Sequence, residues 1–301
     1  ALDRKTENPA VRGHGYAHTL LGGARLRVHT VAECLCDAME TGHGTMACMG
    51  SPAEFYDELA SNYHHLYPDW QVAFREQGAA LHGVLCRYLG PGPHRILDAA
   101  VGIGTQLLGL AAYGHALYGS DVSPAAVRRA RTECAARGVD GAFALADMRT
   151  LLFSDGSFDA VVCADNAVAH LLSARDVTTA LGELHRVTRP GGYVLVSTRD
   201  YEQARQIHPS GTPPQVSRRD RALTVTFQVW DWRPDGKWYD LQHFQLAQDV
   251  GDWVVTRRTS RLWAINRREL TACARRAGLE KVDWLLPEES RFFQPLLIAQ
   301  A

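Results

Sequence analysis

Leu97-Asp98-Ala99-Ala100-Val101-Gly102-Ile103-Gly104-Thr105 is the stretch that decides the fold. It carries a short apolar strand, Arg95 to Ala99, into a helix read from Thr105 to Tyr113. Glycines there let the backbone approach a bound molecule, and parallel sheets hold small molecules at this place, outside the carboxyl ends of their strands. A loop built for a dinucleotide prefers a third glycine at position 107, where this chain has Leu107, and offers a helix N-terminus to the pyrophosphate. Asp98 instead sets a carboxylate beside the loop. A carboxylate repels a pyrophosphate and suits a ligand bearing an ammonium group.

Downstream, strands and helices alternate. Ala116 to Ser120 reads as a strand, Pro124 to Arg137 as a helix, and Gly141 to Leu145 and Phe158 to Ala164 as strands. Val177 to Val187 reads as a helix, and Gly192 to Thr198 as a strand after the Arg189-Pro190-Gly191-Gly192 turn. Apolar strands separated by helices argue for the α/β class, with a parallel sheet covered on both faces. Upstream, Ser51-Pro52-Ala53-Glu54 supplies an N-cap, a Pro at the first helical position and an acidic residue at the third. It opens a helix carrying Phe55, Leu59 and Tyr63, and a second helix follows Pro68 and runs to Leu89.

After Tyr201 the pattern changes. Leu223 to Trp232, Trp238 to Leu246 and Trp253 to Trp263 are rich in β-branched and aromatic residues and are separated by turn residues, as in an antiparallel meander. Asn266 with Glu269 opens one more helix to about Ala277, Gly278 stops it, and two strands follow around Val282 to Leu286 and Phe293 to Ala299. The expected organisation is a flexible arm over residues 1–50, an α/β core with its N-terminal helices over 51–201, an inserted β meander or lid over 202–264, and the last helix and two core strands over 265–301.

The whole chain has 301 residues, 46% of them hydrophobic, enough for about two domain-sized units. Lys plus Arg number 32 and Asp plus Glu 33, a net charge of −1 that leaves no positive excess for a nucleic-acid backbone. A small-molecule substrate is favoured. Seven cysteines without a secreted-type spacing suggest a cytoplasmic setting. No stretch approaches the roughly 18 consecutive apolar residues of a membrane span, and with no basic region followed by an apolar core at the start of the sequence, no signal peptide is expected. Cys34, Cys36, His43 and Cys48 are zinc-ligand types, yet their spacing matches no paired zinc pattern, so no metal is expected.

Two more acidic residues end successive strands. Asp121, about 20 residues beyond the loop, can accept both hydroxyl protons of a ribose, a need shared by NAD and S-adenosylmethionine. Asp147 and Met148 offer a carboxylate for an adenine amino group and an apolar side chain to lie against the ring, with a helix cap as the plainer reading of Asp147.

Together Asp98 to Gly104, Asp121, Asp147, the Phe158-Asp159-Ala160-Val161-Val162 strand and the Arg189-Pro190-Gly191-Gly192-Tyr193 turn make the chain resemble a class I S-adenosylmethionine-dependent methyltransferase. Within that superfamily it most resembles the glycine and glycine/sarcosine N-methyltransferases. That likeness rests on Asp165-Asn166-Ala167-Val168-Ala169-His170-Leu171, on Thr198-Arg199-Asp200-Tyr201, and on Tyr56, Tyr63, Tyr67 and Trp70. The resemblance implies a Rossmann-like, seven-stranded, mostly parallel, doubly wound sheet with an inserted antiparallel β lid. It implies S-adenosyl-L-methionine as cofactor and S-adenosyl-L-homocysteine as product.

The cofactor contacts it implies are Tyr56, Tyr63, Arg75, Asp98, Ala100, Gly102, Gly104, Asp121, Val122, Asp147, Met148, Ala164 and His170. Arg75 is a candidate for the methionine carboxylate. Asn166 and Arg199, with Tyr67, are implied at the substrate, and a planar guanidinium is a natural carboxylate partner. The plainer readings are a surface pair of Arg199 with Asp200 and a helix cap at Asn166. If a base is needed, His170, Tyr67 or Tyr239 could serve. The aromatic positions 56, 63, 67 and 70 approximate a helical stripe, which either packs on the sheet or closes over the cofactor.

The reaction expected is methyl transfer to an amine of a small carboxylate-bearing molecule. The alternatives are an O- or C-methyltransferase of natural-product metabolism, a non-catalytic protein that binds the cofactor, and an NAD-dependent dehydrogenase, which Asp98, Leu107 and the missing second mononucleotide half disfavour. The meander is read as a lid over the acceptor pocket or as a sheet for homo-oligomer contacts.

Overall fold

The computed structural model describes residues 50–219, 222–249 and 252–301. The arm expected over 1–50 therefore lies outside the described residues except for Gly50, and Cys34, Cys36, His43 and Cys48 lie outside them entirely. Helix α1 (Pro52–Leu59) opens on a reciprocal capping box between Ser51 and Glu54. A 3₁₀ turn (Tyr63–Leu66) leads to α2 (Trp70–Leu89), capped by Asp69 and stopped at Gly90, whose φ of 86° suits glycine. The positions of Tyr56, Tyr63, Tyr67 and Trp70 thus fall on α1, the 3₁₀ turn, an extended residue and α2. They are not one helical stripe, because the chain turns twice between them.

The alternating part follows: β1 (Arg95–Asp98), α3 (Thr105–Ala111), β2 (Ala116–Asp121), α4 (Pro124–Ala135), β3 (Gly141–Leu145), β4 (Phe158–Cys163), α5 (Ala174–Val187) and β5 (Thr188–Ser197). Next come α6 (Tyr201–Ile207) and strands β6 (Gln215–Arg219), β7 (Ala222–Trp232), β8 (Trp238–Asp249) and β9 (Asp252–Trp263). The chain ends in α7 (Arg267–Arg276), β10 (Glu280–Leu285), α8 (Pro287–Ser290) and β11 (Leu296–Gln300).

The larger sheet has seven strands in the order β10-β11-β5-β4-β1-β2-β3, parallel except where β11 runs against β5 and β10. The Rossmann-like, mostly parallel sheet expected from the sequence is therefore present, beside a separate four-stranded antiparallel sheet, β6-β7-β8-β9.

Successive strand residues point to opposite faces, so Leu97, Val161 and Val194 pack on α5 and α7 while Ile96, Val162 and Leu195 pack beneath α2 and α3. On the second face α2 and α3 cross at Gly78 and Gly109, where a Cβ on Gly109 would meet the Phe74 carbonyl oxygen at 2.0 Å.

Several boundaries differ for local reasons. Strand β5 begins at Thr188 because the Arg189-Pro190-Gly191-Gly192 turn bulges out of it: Phe158 pairs with Thr188, and Ala160 already pairs with Tyr193. The last strand starts at Leu296 rather than Phe293, since Pro295 has no N–H to give to a ladder. Helix α6, capped by Asp200, and the edge strand β6 are short elements that the periodicity did not reveal. Among the described residues no helix is long and apolar enough to cross a membrane.

Candidate functional site

A cavity of about 380 Å³ opens at the carboxyl ends of β1, β2 and β4. Its floor is the loop after β1, which doubles back so that Val101 N–H donates to the Ser120 carbonyl at 2.9 Å and Gly104 N–H to the Val101 carbonyl at 2.8 Å. Gly102 has φ 52° and open space where a Cβ would stand, so any side chain there would intrude on the cavity.

Asp121 closes the loop: one carboxylate oxygen accepts Gly102 N–H at 2.8 Å and the other accepts Ser123 N–H at 2.9 Å. It stands at the cavity wall with Val122, Ala100 and Ala164. Asp98 lies behind that wall, 2% exposed, with one oxygen accepting Ala100 N–H at 3.3 Å. Its other oxygen is buried without a partner among the described residues. Burial, with Asp121 adding to it, pushes Asp98 up to about 7. Gly104 is also behind the wall, as the left-handed N-cap of α3 (φ 92°), so its part is to shape the turn rather than to meet a ligand.

Asp147 and Met148 line the far side. The free carboxylate expected at Asp147 is instead held by Arg149, whose Nη2 donates at 2.6 Å and whose backbone N–H donates at 2.9 Å. These hydrogen bonds hold Asp147 below the ordinary carboxylate range. Arg75, expected at the cofactor, is exposed on α2 and lines neither this cavity nor the next. Helix α2 presents its other side, with Ala73 and Gln77, to the interior.

A second cavity of about 600 Å³ lies between the aromatic segment, the turn after β4 and the inner face of the antiparallel sheet. The two cavities share Tyr56, Tyr63, Asp165 and His170. The sequence pattern alone assigns Asp165 no role. Asp165 and Asn166 both have positive φ, 53° and 68°, a conformation that Asp and Asn tolerate better than most residues. Two such residues directly after an apolar strand at the ligand edge were the signal that could have found Asp165.

The side chain of Asp165 is fixed from several sides. Tyr63 and Tyr67 each donate a hydroxyl to its Oδ2 at 3.1 Å, and Gln294 Nε2 lies 3.4 Å from Oδ1. Asp165 N–H donates to Ser197 Oγ at 2.8 Å, which in turn donates to Gln294 Oε1 at 2.8 Å. Burial first, then the Asp165 charge, raises both tyrosines well above the usual phenol range, so Tyr67 is a donor here and not a base.

His170 occupies the boundary with Nε2 2.9 Å from Tyr56 Oη and Nδ1 3.2 Å from Ser260 Oγ. Burial, with the charge of Arg199 behind it, lowers His170 to about 4. The ring is neutral near pH 7 and both nitrogens are engaged, so it serves as a fixed wall rather than a base.

Arg199 reaches the second cavity. Its Nη1 donates to Tyr239 Oη at 3.0 Å, its Nη2 to Gln228 Oε1 at 3.1 Å, and its guanidinium lies 4.6 Å from the Trp230 ring centroid. All three neighbours are neutral, and among the described residues Arg199 has no carboxylate partner. Asp200 caps α6 instead of pairing with it.

Tyr239, named as a candidate base, is 0% exposed and lines neither cavity. It holds the guanidinium while its oxygen lies 2.9 Å from Tyr201 Oη. Asn166 does line the second cavity, but its carbonyl accepts Arg199 N–H at 3.2 Å and its amide donates to Tyr201 Oη at 2.9 Å. It braces the arginine and has only one N–H left. Among the described residues no group of His, Cys, Asp and Glu is arranged to hold a metal.

Residues 96–192 match the family model described as a methyltransferase domain. The demethylmenaquinone methyltransferase of Thermus thermophilus is 42% identical over 106 residues, 35% of this chain and 46% of that protein. Residues 96–192 are thus similar to a methyltransferase domain. The glycine N-methyltransferase of Mus musculus is 29% identical over 170 residues, 52% of this chain and 57% of its own. The chain thus spans about half the length of these relatives.

In three dimensions the methyltransferase domain and its attached sheet are similar to S-adenosylmethionine-bound CalS10, an amino pentose methyltransferase from Micromonospora echinaspora. The TM-score is 0.64 with 19% identity, over 80% of this chain and 94% of that one, a likeness of fold. The residues around the first cavity fit the cofactor: a glycine at positive φ whose bare backbone leaves the cavity open, an acid at the end of β2, and at Asp98 an orphaned buried oxygen suited to an ammonium group.

Proposed function

We propose that the protein transfers a methyl group from S-adenosylmethionine to the amine of a small molecule that also bears an anionic group. The observation that carries this reading is the meeting of two cavities at Tyr56, Tyr63, Asp165 and His170, with the unpaired cation of Arg199 in the second. When bound in the first cavity, the cofactor supplies an electrophilic methyl group on a positively charged sulfur.

Asp121 would hold the ribose hydroxyls, Met148 would lie against the adenine, and the free oxygen of Asp98 would accept the ammonium of the methionine part. The faces and hydroxyls of Tyr56 and Tyr63 exclude water at the boundary and favour positive charge there. Across the boundary Arg199 orients the acceptor through its anionic group. Asp165, with Tyr63 and Tyr67 already donating to Oδ2, accepts an amine N–H on its remaining lone pairs and turns the nitrogen lone pair toward the first cavity. Positioning is the main catalytic demand, since a neutral amine needs no further activation. The antiparallel sheet acts as a cover that shapes the acceptor pocket.

Glycine and sarcosine are the smallest acceptors meeting this description, and the second cavity has room for larger ones. Turnover of methyl-labelled cofactor across glycine, sarcosine, larger amino acids and amino sugars tests it. Amines with an anionic group should be methylated, and Arg199→Ala should lower kcat/KM for them roughly 10- to 100-fold with affinity for S-adenosylhomocysteine retained. Full activity of Arg199→Ala on every amino-acid acceptor contradicts the assignment.

A further inference from the structure

The antiparallel sheet turns a polar row toward the second cavity. Gln228 on β7 stands directly opposite His243 on β8, and His243 directly opposite Arg258 on β9. Gln228 and His243 line the cavity, and Arg199 donates to Gln228, so the row adjoins the Arg199 guanidinium. His243 is 1% exposed, and neither ring nitrogen has a partner among the described residues. Arg258, 6% exposed, is incompletely paired: its Nη1 lies 3.4 Å from Gln245 Oε1, its Nε has no hydrogen-bond acceptor, and the nearest carboxylate, Glu58, stands 3.9 Å away.

Unsatisfied buried polar groups are costly, and a row of them facing a cavity is retained where a ligand completes it. The cost falls on the imidazole of His243 and the guanidinium of Arg258; beside them the half-buried Gln228, whose Oε1 already accepts from Arg199 and Trp230, adds an amide N–H, so the row is rich in donors. Two acidic residues line the second cavity, Glu76 on α2 and Asp165, and Asp165 lies at the boundary with the first cavity. The second cavity is therefore polarised, with an acid where the methyl group arrives and donors along the sheet. Its volume of about 600 Å³ is also far more than glycine fills.

We infer that Gln228, His243 and Arg258 form a second oxyanion subsite, so that the acceptor carries, beyond the group held by Arg199, a further carboxylate or phosphate. This rests on the proposed amine transfer for the acceptor's orientation, but the subsite itself is defined by the sheet. His243 and Gln228 would donate directly. Arg258, one strand further, would supply charge from behind.

The test uses the full chain saturated with S-adenosylhomocysteine and three probes: glycine, glutamate and O-phosphoserine. Calorimetry should show glutamate or O-phosphoserine binding at least 10-fold tighter than glycine, and the comparison between those two separates carboxylate from phosphate. The same ligand should shift the imidazole ¹⁵N signals of His243. His243→Leu, of similar bulk and without an unsatisfied nitrogen, should bring the preference to within twofold, and His243→Asn, which keeps a donor, should restore part of it.

Retention of the full preference in a folded His243→Leu protein overturns the subsite, as does the lack of any preference in the wild type. If the dianionic probes bind and move His243 yet no amine is ever methylated, the subsite stands and the amine-transfer reading falls. If glycine and glutamate are methylated with equal kcat/KM, the reading stands and the subsite falls.

Discussion

Tyr63 donates its hydroxyl to Asp165 across 3.1 Å and so ties the segment before α2 to the turn after β4, at the seam where the two cavities meet. Tyr67 donates to the same oxygen at 3.1 Å, which leaves the remaining lone pairs of Asp165 aimed along a defined direction. Asp165→Asn keeps the size and one acceptor oxygen but loses the charge. The expected result is a fall in kcat of roughly 100-fold, the scale of a positioned acid–base group, with cofactor-product affinity changed less than threefold. Steady-state kinetics together with calorimetry on S-adenosylhomocysteine check it.

Arg199 is held by Tyr239, Gln228 and the face of Trp230 at once, an arrangement that uses the planar fork of a guanidinium. Lysine cannot satisfy all three. Arg199→Lys should therefore raise the KM of an anionic amine about tenfold with a smaller change in kcat, since charge is kept and geometry lost. Measuring KM and kcat separately decides this, because a purely structural defect would lower both cofactor affinity and kcat.

Asp98 gives a pH signature. Its carboxyl is pushed from its ordinary value of 3.8 up to about 7, mainly by burial. Between these values the folded ligand-free protein binds more protons than the unfolded chain, so the Asp98 contribution to stability falls as pH rises through that window. Asp98→Asn lacks the effect. In the absence of ligand the variant should gain on the wild type from about pH 4 to pH 7 and hold a constant advantage above, while binding S-adenosylhomocysteine more weakly. Thermal unfolding of both proteins at pH 5 and pH 8 reads it. An unchanging gap in Tm would mean that Asp98 is not titrating in the fold.

The crossing of α2 and α3 predicts a stability effect far from any ligand. A Cβ on Gly109 would sit 2.0 Å from the Phe74 carbonyl oxygen and 2.7 Å from Gly78 Cα, both backbone atoms that cannot move independently. Gly109→Ala should cost about 3 kcal/mol through overpacking, despite the better helix propensity of alanine. Urea denaturation of the two proteins measures it.

The β1 loop and the alternating strands were legible because their signals are local. Glycine spacing, capping boxes at Ser51 and Asn266, and apolar runs each depend on a few neighbouring residues. The side chains that complete the site were less legible because their partners are remote in sequence. Asp147 looked free until Arg149 folded onto it, Asn166 looked available until Tyr201 met it, and Tyr239 looked like a base until its ring was buried beneath Trp230 and Trp232. Arg75 failed for a simpler reason, a helix phase that faces it outward while Gln77 faces in. The polar row of Gln228, His243 and Arg258 depends on the register of three strands, which no single stretch of sequence encodes.

The fate of the transferred methyl group decides between amine transfer and its alternatives. The full chain is incubated with S-adenosylmethionine labelled at its methyl carbon with ¹³C and with an amine that also bears an anionic group, and the product is read by NMR. The expected result is a ¹³C signal of a methyl group on nitrogen, formed in step with S-adenosylhomocysteine and lost in Arg199→Ala. A label found on oxygen or carbon, or nitrogen methylation that proceeds unchanged in Arg199→Ala, would contradict it.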